Sequence, residues 1–154
     1  HMYAAGMTLN PESLDDFRTA FEKVGEEMLT SEMLTPKVNY DTTIDVEDID
    51  DRLLSSIQHM APFGPGNLTP VFFSSGLADS GYGKIIGKTK EHLRLNVKRS
   101  TSNLAAIGFG MAPKLSDIQK ADSFEACFQI NENIFNNNRS IQLMLKDVRL
   151  TNDV

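Results

Sequence analysis

The hydrophobic period of this chain changes at Pro62, and that change constrains the fold more than any other feature. Before it, apolar residues recur every three to four positions; after it, every second. A chain of this kind has helices at its start and short strands in the rest. In the first part, Asn10 and Pro11 are a good cap and first residue for a helix whose stripe is Leu14, Phe17, Phe21, Val24 and Met28. Such a stripe needs a partner, either a sheet that lies partly upstream or the next domain. Residues 30–36 read as a linker, and Lys37 to Ile44 as a strand. A second helix is expected after Asp45 as cap, with Ile49, Leu53, Ile57 and Met60 buried and Pro62 as its stop.

Beyond Pro62, strands are expected at 71–75, 83–87, 92–98 and 104–109, then around Phe124 to Ile130 and Ile141 to Leu145. In the third of these, Leu93, Leu95 and Val97 share one face, and His92, Arg94, Asn96 and Lys98 the other. Ala105, Ile107 and Phe109 share a face of the fourth. Residues 113–119 suit one short helix with Leu115 and Ile118 inward. Ser100 to Asn103 and Asn136 to Asn138 are turn chemistry. The pattern is α+β: a short N-terminal helical segment, then a small antiparallel barrel with one or two further helices.

Charge divides the same way. Residues 1–60 carry thirteen acids against four Lys/Arg; residues 61–154 carry eleven Lys/Arg against eight acids. Within 84–99 stand Lys84, Lys88, Lys90, Arg94, Lys98 and Arg99 with one anion, Glu91. A local basic row on an acidic chain suits a phosphodiester backbone, and equally suits a solvated sheet edge. The loop Pro62-Phe63-Gly64-Pro65-Gly66-Asn67 is the second candidate, either a tight connector or a backbone cradle for phosphate. Phe63, Phe72, Tyr82 and Phe135 are the aromatics expected at the surface. The acids Asp48 to Asp51 read as a helix start rather than metal ligands, and His59 as a packing residue. One cysteine, Cys127, permits no internal disulfide, reads as inert, and fits a reducing cytoplasm. No apolar run reaches the roughly 20 residues of a membrane span, and no secretory leader is visible. The residues by themselves describe a binding module without a visible active site.

Several stretches then resemble the C-terminal part of the RecJ family of single-strand-specific exonucleases. They are Met60 to Asn67, Pro70-Val71-Phe72, Lys90 to Leu95, Ala106 to Gly110 and Ile141 to Asp147. Tyr3 to Leu9 resembles the end of that family's DHH-associated domain; His1 falls where its Gly-Gly-His histidine would stand, although His1-Met2 reads equally as a cloning remnant. The resemblance implies residues 1–35 as the remnant of that domain and 36–154 as an OB-like domain that holds single-stranded DNA. It implies a parent 5′–3′ exonuclease of recombination and repair, with Mn2+ or Mg2+ bound by an upstream catalytic domain and no cofactor or metal in this fragment. Gly64, Gly66, Asn67, His92 and Arg94 match the family motifs; Lys88, Lys90, Lys98 and Arg99 are added on charge. Single-stranded DNA is the expected partner and a monomer the expected state. The competing expectation is an adaptor for a single-strand-binding protein or a helicase. An oligosaccharide-binding barrel is a third, weakened by zero Trp and three Tyr.

Overall fold

The computed structural model describes residues 4–151. The chain divides into two compact units, residues 1–37 and 38–154.

In the first unit, residues 4–10 are irregular, while Tyr3 and the His1-Met2 pair lie outside the described residues. A 3-10 turn at Pro11–Ser13 leads into helix α1, Leu14–Met28. Asn10 makes no side-chain cap bond. The stripe forms as spaced, with Phe17 and Phe21 stacked at 5.6 Å, but it stays at the surface: Phe21 is 66% and Met28 70% exposed. The expected linker contains one helical turn, α2 (Ser31–Leu34), capped by Thr30, whose Oγ1 accepts the Met33 N–H.

In the second unit the strand expected over 37–44 is confined to β1, Thr42–Thr43, parallel to the next strand. Val46–Asp48 is a 3-10 turn, and α3 runs Asp51–His59. Its cap is Asp50 rather than Asp45: Asp50 Oδ1 accepts the Leu53 N–H at 2.8 Å. Of the expected face, Ile57 is buried, Ile49 is buried just ahead of the helix and Leu53 packs half-buried against the core; Leu54 joins them, and Met60, past the last turn, is 51% exposed.

The strands are β2 (Phe72–Asp79), β3 (Lys84–Ile86), β4 (His92–Arg99), β5 (Ser102–Gly108), β6 (Phe124–Phe135) and β7 (Asn138–Leu150), with α4 (Leu115–Lys120) between β5 and β6. The sheet order is β1-β2-β6-β7-β5-β4-β3, and a further β2–β4 pairing closes the five strands β2, β6, β7, β5 and β4 into a ring. Most pairs are antiparallel, but β5 and β7 run parallel. A five-stranded ring with one parallel closure and a helix between its third and fourth strands is an OB-like barrel. Leu93, Leu95, Val97, Phe124, Phe128, Leu143 and Leu145 fill it, with Ile118 of α4 and Leu54 of α3 in the same core. Asn136 and Asn137, at φ 49° and 62°, make the two-residue turn of the β6–β7 hairpin. Among the described residues no helix is long and apolar enough to cross a membrane.

Ala105, Ile107 and Phe109 share a side as expected, and it is the outer one; Ala106 and Gly108 point inward, where Met111 leaves room for no larger side chain at 108. Phe72, expected at the surface, is buried against Phe128.

Candidate nucleic-acid interface

Strand pairing places residues from five strands in rows on the outer side of the barrel. One row runs Lys84 (β3), Arg94 (β4), Ile107 (β5), Met144 (β7) and Gln129 (β6). The next runs Asn96, Ala105, Gln142 and Asn131, and beyond it Lys98 faces Asn103. Partners in a ladder point to the same side, so these form one continuous face. It carries three cations, several amides and no carboxylate among the residues named. The exposed loop with Tyr82 and β3 borders it at one end, and the hairpin tip, where Ile134 and Phe135 are 67% and 70% exposed, extends past the other.

His92 and Arg94 stand on this face. The His92 Nδ1 accepts the Gly110 N–H at 3.2 Å, which leaves the ring proton of the neutral form to Nε2. Its ring lies over Gly87, at φ 93°, where a Cβ would approach to 3.0 Å. Lys88 and Lys90 are exposed in the turn from β3 to β4, and the Lys90 N–H donates to the Gly87 carbonyl at 3.2 Å. Arg99 is brought elsewhere. Adjacent residues of a strand face opposite ways, and Arg99 turns from Lys98 to pair with Asp45 and, at 4.0 Å, Glu47. The Asp45 hydrogen bond pushes its pKa further up, so this cation is committed to joining β4 to the 3-10 turn before α3.

The glycine loop has a different local logic. Gly64 and Asn67 exchange both backbone hydrogen bonds, at 2.9 and 3.0 Å, around Pro65-Gly66. Proline followed by a glycine at φ 84° is the signature of a type II turn, which a side chain at Gly66 would strain. Asn67 Nδ2 donates to the carbonyls of Met60 and Pro62, both at 2.9 Å, and so ties the loop to the end of α3. Both side-chain donors of Asn67 are therefore used internally. The loop is not remote from the face: Gln129, at the far end of the Lys84 row, donates to Thr69 O at 3.3 Å. Four strand spacings separate Lys84 from Gln129, about 19 Å along the curved sheet. A groove of about 570 Å³ beside Gln129 is lined by Tyr40, Phe63, Gly64, Leu68 and Lys146 among others.

A residue missing from the sequence expectations is Phe109. It is 54% exposed and makes an edge contact with His92, ring centroids 5.0 Å apart. The alternation in β5 carried the signal, but only the Leu93–Gly108 register reveals that Phe109 adjoins His92. Cys127 lines a second groove with Asp147 and Arg149; burial pushes its thiol pKa up, with the Asp147 charge adding to that. Among the described residues no group of three or more His, Cys, Asp or Glu is placed to hold a metal.

Comparison with known proteins places this barrel. Residues 40–147 match the family model for the RecJ OB domain. The chain is 28% identical over 151 residues to the single-stranded-DNA-specific exonuclease RecJ of Bacillus subtilis (strain 168), covering 98% of this chain and 19% of that protein. The structure of RecJ from Thermus thermophilus in complex with Mn2+ superposes with a TM-score of 0.70 at 15% identity, over 94% of this chain and 20% of that one. The Mg2+ complex of the same protein gives 0.66 at 14% identity, over 92% and 21%. The chain thus spans about a fifth of the relatives it matches. The match runs through the whole of the barrel's ring, from β1 into β7, and the chain belongs to the RecJ OB domain family.

Proposed function

We propose that this barrel holds single-stranded DNA for a RecJ-like 5′–3′ exonuclease acting in recombination and repair in the cytoplasm. The observation that carries the reading is the outer face, whose rows set Lys84, Arg94 and Lys98 among amides, while Glu125, further along β6, is paired with Arg149. Phosphates are drawn to such a row, and a single strand can follow it because its backbone is flexible. The hydrolytic step and its Mn2+ or Mg2+ are assigned to a catalytic domain outside these residues, and residues 1–35 to the end of the DHH-associated domain. The chain by itself is non-catalytic and monomeric in this reading. His92 and Arg94 serve on the face, Lys88 and Lys90 at its rim; Gly64, Gly66 and Asn67 shape the loop at the far side.

Binding is expected to be micromolar or weaker and to involve on the order of two to four phosphate contacts. Each contact on a single strand contributes about 0.7 to the slope of log affinity against log salt. Arg94→Ala with Lys98→Ala should lower that slope by about 1.4, with the thermal midpoint nearly unchanged. Fluorescence anisotropy of an oligothymidylate across a salt series measures it. An unchanged slope would mean that the row is only a solvated edge.

A second reading is a surface for a protein partner such as a single-strand-binding protein or a helicase. It is favoured by Leu68, 78% exposed, which lines one apolar groove with Met60, Leu53 and Ile57. An intact slope in the double variant would move the weight to that groove.

A further inference from the structure

We propose that Phe109, steadied by His92, is a base-stacking platform for single-stranded nucleic acid; this rests on the nucleic-acid reading of the outer face. Four observations bring it forward. Phe109 follows the end of β5 in phase with Ile107, so its ring stands on the outer side, next to the row that begins with Lys84 and Arg94. More than half of its surface is open, at 54% exposure. The ring is nevertheless positioned: His92 meets it at 5.0 Å with the planes at 73°, and His92 is itself fixed by the Gly110 N–H on Nδ1. Cations lie on both neighbouring elements, Arg94 on β4 and Lys88 and Lys90 in the turn before it, with Glu91 the one acid in that stretch.

An aromatic ring that is held in place but left open costs little further entropy when a base covers it. Every base has a π-face, so the contact is sequence-tolerant, and the cations beside it take the phosphates on either side of the stacked nucleotide. The other open aromatics of the barrel are less suited. Tyr82 and Phe135 are 75% and 70% exposed without an aromatic neighbour among the described residues, and Tyr40 is spent on Phe73 at 5.0 Å.

The test uses the 154-residue chain and two oligothymidylates of equal length, one intact and one with abasic sites in its middle. Phe109→Leu keeps apolar bulk and removes the π-face; Phe109→Trp keeps it. Phe109→Leu should weaken the intact oligomer about tenfold, leave the abasic one unchanged, and leave the salt slope of both unaltered. Phe109→Trp should bind as wild type. A 2-aminopurine placed in the intact strand should lose its quenching on binding in Phe109→Leu but keep it in Arg94→Ala at low salt. If Phe109→Leu matches wild type on both oligomers, or weakens both equally, the platform is refuted while a slope that falls in Arg94→Ala keeps the nucleic-acid reading. If the wild-type chain shows no salt-dependent binding, the nucleic-acid reading fails and the platform with it.

Discussion

Asn67 spends its side chain on its own loop. Its amide has two N–H donors, and both go to carbonyls just past the end of α3, those of Met60 and Pro62. The site is exposed, so water can replace a lost donor and Asn67→Ala should cost only about 1 kcal/mol in urea unfolding. Asn67→Asp should cost more, because a carboxylate would face two carbonyl oxygens with no proton to offer. Neither change should lower the salt slope for DNA by direct contact, whereas a slope drop in Asn67→Ala at unchanged stability would return this residue to the interface. Arg99 makes the complementary point. Its adjacency to Lys98 already assigns the two to opposite faces of β4, so the sequence contained the signal that it leaves the row. What it pairs with, Asp45 some fifty positions earlier, was invisible before the fold was known.

Elements were legible where one face is buried and the other wet. The strand over 92–98 is read correctly residue by residue because Leu93, Leu95 and Val97 fill the ring and the polar set faces out. In β5 the phase of Ala105, Ile107 and Phe109 is legible but its side is not, since the inward residues Ala106 and Gly108 are smaller than the outward Ile107 and Phe109. β6 and β7 extend further than expected because their hairpin tip mixes Asn, Glu and Arg with the exposed, adjacent Ile134 and Phe135 and so shows no alternation; Arg139 pairs there with Glu132. Lys114, immediately before α4, is tied to β7: its Nζ meets Asp147 Oδ1 at 2.6 Å and Val148 O at 2.7 Å. Burial pushes the Asp147 pKa up, but the hydrogen bonds from Lys114 and the Val148 N–H outweigh it and leave the carboxyl below its ordinary value. A lowered folded pKa gives stability that is fully present above about pH 5 and lost as pH falls below the unfolded value near 4. In Lys114→Met the carboxyl keeps its burial and loses its cation, so its folded pKa rises. The variant should therefore be less stable than wild type at pH 7 and closer to it at pH 3. Urea unfolding at both values measures the gap, and a gap that does not narrow on acidification would remove Lys114 and Asp147 from the account.

At the scale of the whole molecule, every buried side chain among the described residues lies in the second unit. No residue of α1, α2 or the turn before them is buried, and every member of the core lies between Val46 and Val148. Leu14, Phe21, Val24 and Met28 are all between 47% and 70% exposed, so the stripe that made α1 legible contributes little burial energy here. A helix of 15 residues with acids at Asp15, Asp16, Glu22, Glu26 and Glu27 is marginal in water without a packed face. The barrel, by contrast, is closed by the β2–β4 pairing and has its own centre in Phe124, Phe128 and Leu143. Trypsin should therefore cut first in residues 18–37, at Arg18, Lys23 or Lys37, and leave a resistant fragment that begins near residue 38. A chain starting at residue 38 should keep the urea midpoint of the barrel and the salt slope for oligothymidylate, because the basic face lies wholly on β3, β4 and their neighbours. First cuts within 84–110, or a midpoint that falls on removal of residues 1–37, would show that the helical unit supports the barrel and that the stripe is part of its core.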